Sequence, residues 1–98
     1  MKKKVHVLQF PAEMSRDSYF MTADQVKSAL EKYEVTAIFY GEGDDEELCE
    51  MAFDISNNPA RTAQRAWFFG NNRSLSVGDV VKVNGRPYLC ASVGWVAL

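Results

Sequence analysis

A chain of 98 residues with 47% apolar and 24% charged side chains, 6 Gly and 3 Pro describes one globular domain, residues 1–98, with a single modest core, and excludes a disordered or collagen-like polymer. The formal charge of −2 hides an uneven distribution: residues 1–57 hold twelve Asp or Glu against six Lys or Arg, residues 58–98 one against five, so an acidic and a basic face are expected together. No apolar run approaches the roughly 20 residues of a membrane span, the run after the leading lysines is too short for a signal peptide, and Cys49 and Cys90 read as buried thiols of a cytoplasmic protein rather than a disulfide framework.

The first predicted element is a strand ending at Phe10, with Val5, Val7 and Gln9 on one face and His6, Leu8 and Phe10 on the other; Pro11 terminates it. Lys2, Lys3 and Lys4 read as a solvated lead-in. His6 is the only histidine and has no ligand-spaced partner, so it reads as a sheet residue. After a connection over 12–21, Thr22 and Gln25 form a capping box, Met21 and Val26 a hydrophobic staple, and Val26, Ala29, Leu30 and Tyr33 a buried helical stripe. A second strand, Glu34 to Gly41, follows at once. Strand, helix and strand in succession fit a parallel crossover, and the long connection leaves antiparallel pairing open.

The acidic run Glu42, Asp44, Asp45, Glu46, Glu47 and Glu50 lacks the alternation of a calcium loop. Asp44 or Asp45 instead caps a second helix whose first turn welcomes carboxylates and whose buried stripe is Leu48, Met51, Ala52 and Ile55. Asn58 and Pro59 end it and open a short third helix that reaches Gly70. In this third helix Arg61 and Arg65 share a face, and Trp67, Phe68 and Phe69 form the densest aromatic cluster. Such a cluster closes a core, anchors a protein interface or stacks bases.

Residues 73–98 form a β-hairpin module. Asn84-Gly85 between two apolar runs is a type I′ turn signal, Asp79 after Gly78 caps a turn through its own backbone, Pro87 belongs at a strand start or sheet edge, and Trp95 to Leu98 closes the sheet. The fold expected is α+β: a small, mainly antiparallel mixed sheet of about five strands, with two main helices packed on one face.

The run Arg73-Ser74-Leu75-Ser76-Val77-Gly78-Asp79-Val80-Val81, followed by Asn84-Gly85, Tyr88, Cys90 and Gly94-Trp95, resembles the C-terminal signature of the YodL-like domain and related short proteins of phages, plasmids and integrated elements. The resemblance spans about residues 45–98, departs from the family over Pro59 to Gly70, and implies carriage on a mobile element; it transfers no catalytic residue.

No nucleophile with its base, carboxylate pair or set of metal ligands is gathered along the chain, so a non-catalytic protein without cofactor or metal is expected. The leading reading is an accessory protein that binds a host or element-encoded protein, with Asp44, Asp45, Glu46 and Glu47 as one contact surface and Trp67, Phe68 and Phe69 as another. The alternative is a nucleic-acid-binding module that uses Arg61, Arg65, Arg73, Lys82 and Arg86 of the basic half, against which the overall acidity weighs.

Overall fold

The computed structural model describes residues 1–10 and 22–98. The predicted connection over 12–21, the Met21 staple and the stop at Pro11 lie outside the described residues.

Five strands form one antiparallel sheet: β1 (Lys3–Gln9), β2 (Glu34–Gly41), β3 (Val80–Val83), β4 (Arg86–Cys90) and β5 (Trp95–Ala97), in the order β2-β1-β3-β4-β5. The fold is α+β, as the sequence leads one to expect. Between the first two strands the parallel option loses. Gln9 lies opposite Glu34 and Lys3 opposite Gly41, so the connection re-enters the sheet at the end it left, which requires no crossover.

Three α-helices pack on this sheet: α1 (Ala23–Ser28), α2 (Asp45–Asn57) and α3 (Thr62–Phe69). Strand alternation sends Val5, Val7, Ala37, Phe39, Val81 and Val83 to one face, where they meet Leu48, Cys49, Ala52 and Ile55 of α2, then Phe69 and Leu75. The opposite face gives Leu8, Val80 and Leu89 to Val26, Ala29 and Tyr33, with the Phe10 and Tyr33 rings 4.4 Å apart. The two main helices expected on one face, α1 and α2, therefore lie on opposite faces, because the sheet is apolar on both: α3 shares the face of α2, and α1 covers one end of the other. Each fully buried Leu or Val contributes about 1.5–3 kcal/mol of transfer free energy, which is why both faces of so small a sheet carry apolar rows.

Local signals set the element ends. Thr22 and Gln25 bond reciprocally at 3.2 and 2.8 Å, but α1 stops at Ser28 and the stripe continues to Tyr33 through a 3-10 turn, Leu30–Lys32. Asp44, rather than Asp45, caps α2 and forms a capping box with Glu47. The Asn58 side chain accepts from Ala60 N–H at 3.0 Å, Pro59 opens a 3-10 turn ahead of α3, and Gly70 at φ +56° ends it. Asn84 and Gly85 both take positive φ in the hairpin turn. Of the two positions expected for Pro87, a strand start or a sheet edge, it takes the first, since β4 lies between β3 and β5. It is the second residue of its strand, and its bare nitrogen is directed toward Leu98, where β5 has already ended, so the ladder loses no donor. Among the described residues no helix is long and apolar enough to cross a membrane.

Candidate functional site

The irregular segment 70–79 contains the most polar buried ground in the molecule. Asp79 is 0% exposed and accepts four hydrogen bonds: two from the Arg73 guanidinium at 2.8 and 2.7 Å, one from Gln9 Nε2 at 3.1 Å and one from Ser76 N–H at 2.8 Å. Its own N–H donates to the Ser76 carbonyl, so the turn anticipated at Gly78-Asp79 is closed from both sides. Tyr33 Oη donates to the Gly78 carbonyl at 2.7 Å, and burial, then the Asp79 carboxylate, push its phenol up. Around this turn Ser56 Oγ accepts from Leu75 N–H, Asn57 Nδ2 donates to the Leu75 carbonyl, and Ser74 Oγ donates to the Ser56 carbonyl. Every one of these groups is spent on holding backbone in place.

The basic residues singled out by the sequence are drawn into the same task. Arg65 donates to the carbonyls of Ser56, Gly70 and Asn72, at 3.3, 3.2 and 2.8 Å, so it ties the C-terminal end of α2 to the segment after α3. Arg61 pairs with Asp54 and Arg73 with Asp79. Arg86 reaches the other end of α2, where it chelates Asp45 at 2.6 and 2.7 Å beside Lys3 and the Tyr88 hydroxyl. Asp45 and Asp54 are nine residues apart along the helix, about 14 Å at its rise. The four arginines thus do not converge on a common face: three gather near the C-terminal turns of α2 and one near its start.

The aromatic cluster divides. Phe69 is core at 1% exposure, which removes it as a contact residue, Phe68 packs on Phe39 at 5.5 Å between ring centroids, and Trp67 stands 84% exposed. The acidic run divides as well. Asp44 and Glu47 satisfy each other's backbone at the α2 start, and Asp45 is a structural anchor. Its carboxyl is held well below the usual carboxylate range by the hydrogen bonds from Arg86, then Tyr88, against a smaller opposing effect of burial, with Lys3 adding to the depression. Glu46 remains exposed, and with Glu42, Asp44, Glu47, Glu50 and Met51 it lines an open groove of about 470 Å³.

Among the described residues no group of three or more His, Cys, Asp or Glu is placed to hold a metal ion. Both thiols are buried, and burial pushes Cys49 up to about 12 and Cys90 up to about 11, which keeps them protonated and unreactive.

The surface that sequence reasoning missed is β2. It is an outer strand of the sheet. The Lys4 N–H donates to Asn84 Oδ1 and its carbonyl accepts from Asn84 N–H, both on the β3 side, so Lys3, Val5 and Val7 are the β1 residues that bond β2, and the backbone groups of their neighbours Ile38 and Tyr40 point outward. Among the described residues no strand pairs with them. Register places Val35, Ile38 and Tyr40 on the face opposite α2, and they are 52%, 45% and 60% exposed. The irregularity opposite Val7 and Leu8 falls at Thr36, whose carbonyl takes a 3.0 Å bond from Asn72 Nδ2, so segment 70–79 closes off the first part of the edge and leaves Ala37 to Gly41 open. Two lysines flank the open part on the same face, Lys4 opposite Tyr40 and Lys82 opposite His6, with the His6 imidazole between them opposite Ile38. Burial, and then Lys4 and Lys82, lower the His6 imidazole pKa. The alternation of Val35 to Tyr40 is legible in the sequence, but only the strand order reveals that one of its rows is uncovered.

Comparison of the chain with protein-family models, with curated proteins and with solved structures finds no match.

Proposed function

We propose that this protein works by binding another protein, and that its contact surface is the outer edge of β2 with the exposed row Val35, Ile38 and Tyr40. The observation that carries the reading is the conjunction of outward backbone groups, unpaired among the described residues, with three large apolar side chains on one short strand. Soluble proteins ordinarily guard such edges with charge, proline or a covering loop, and here the cover stops at Thr36. An edge of this kind recruits a partner strand through main-chain hydrogen bonds, with apolar side chains adding specificity. The resemblance of residues 74–81 to YodL-like proteins supports placing it as a non-catalytic accessory of a mobile element, with a host or element-encoded partner.

The test is affinity capture with the wild-type protein and with an Ile38→Lys/Tyr40→Lys double variant whose thermal melt matches wild type. Both side chains are exposed, so the fold is expected to tolerate the change. Loss of one specific protein from the variant's capture is the expected result. Identical capture by the two would remove β2 as the surface, and a Trp67→Ala variant run in parallel shows whether α3 carries the contact instead.

A further inference from the structure

We infer that the partner segment recognised at β2 is an acidic extended strand, which adds along Ala37 to Gly41 and directs its carboxylates toward the cationic pair Lys4 and Lys82, with His6 between them. The inference rests on the protein-binding reading and supplies the partner's chemistry. It follows from register and spacing. A strand added outside β2 lies about 5 Å from it and about 10 Å from β1. Side chains on the added strand that share the face of Ile38 and Tyr40 lie beside those residues, and a glutamate there extends toward Lys4, which stands directly opposite Tyr40 on β1. Lys82 lies one strand further in, more than a Debye length away, so its contribution is largely screened at physiological salt and grows as salt is lowered. His6 sits between them.

The charges of this face explain why the complement is acidic. The described strands contribute Lys4, His6 and Lys82 to it and no carboxylate: Glu34, the acidic residue of β2, falls on the other face, opposite Gln9. Among the described residues, Lys4 and Lys82 make no ion pair, in contrast to Lys3, Arg61, Arg73 and Arg86. A basic strand would meet like charge here, which suppresses the wrong partner as effectively as opposite charge selects the right one. The neutral row Ile38 and Tyr40 supplies burial, and the cationic pair supplies selection.

The experiment is a titration of the isotope-labelled full chain, followed by amide and imidazole NMR, with three probes: a hexapeptide that alternates Glu and Val, its Lys and Val counterpart, and a short oligothymidylate. The expected result is a saturable perturbation by the acidic peptide alone, confined to Ala37 to Gly41, Lys4, His6 and Lys82. The His6 titration should move upward as the carboxylates arrive, and affinity should fall as salt is raised. Lys4→Glu should weaken the acidic peptide about fivefold, the size of one exposed ion pair, while the salt dependence of the wild type provides the same information should that variant misfold. Equal binding of the two peptides at β2 would overturn the acidic preference and leave the protein-binding reading standing. Perturbation of the same residues by the oligothymidylate, with neither peptide bound, would overturn both. If none of the probes binds, the acidic-strand inference falls, and the capture experiment alone decides the wider reading.

Discussion

Asp79 shows how a residue read as ordinary turn chemistry becomes a hub. Its carboxylate accepts from a guanidinium, an amide side chain and a backbone N–H, all contributed by irregular chain or by the end of β1. Asp79→Ala leaves Arg73, Gln9 and Ser76 N–H without their acceptor and is expected to cost about 3 kcal/mol in urea denaturation; a cost under about 1 kcal/mol would show that water substitutes freely. Asp45 offers a test with a sign. Its folded pKa lies below the unfolded value of about 3.9, so the stabilisation from Arg86, Tyr88 and Lys3 is complete above that value and is lost as pH falls through it toward the folded pKa. Wild type should therefore exceed Asp45→Asn in stability at neutral pH, by a margin that shrinks progressively below about pH 4; a margin that is flat with pH would contradict the pairing. The thiols give a third check. Cys49 and Cys90 should react with a disulfide reagent only at the rate of unfolding, and prompt labelling of either in the native protein would contradict its burial.

At the scale of elements, the parts that were legible in the sequence are those written in local chemistry. The Thr22, Asp44 and Asn58 caps, the Asn84-Gly85 turn and the stripe of α2 each depend on neighbours within a few residues. The parts that were not legible depend on distant chain. Gln9 was placed correctly beside Val5 and Val7, yet its role comes from Asp79, seventy positions on. Arg65 and Arg73 looked like a surface because sequence shows their charge and not the carbonyls and carboxylate that occupy them. The uncovered row of β2 follows from strand order, which no local pattern encodes. Gly41 gives a prediction at this scale. A Cβ there would stand 2.6 Å from Leu48 Cδ2, and Leu48 is wholly buried, so Gly41→Ala should force β2 and α2 apart at a cost of about 1–3 kcal/mol. A neutral result would mean that the α2 start moves easily. Asp44→Ala, which removes only a cap, should cost about 1 kcal/mol.

For the whole molecule, the division of labour is between a sealed face and an open one. Under α2 and α3 the sheet is covered, and the four arginines of the second half are tied to α2, its flanking loops and the Asp79 turn. Beyond α1 the other face ends in an exposed apolar row on an edge that no strand of the described residues pairs, with Lys4 and Lys82 beside it. An acidic chain thus carries a locally basic margin along β2. The most direct measurement is amide hydrogen exchange at Ile38 and Tyr40 in the free protein and in complex with the captured partner. The expected result is rapid exchange when free, because both N–H groups face outward, and strong protection when bound. Unchanged exchange at these two amides, with protection appearing around Trp67 or Glu46 instead, would contradict the assignment of β2 as the binding edge.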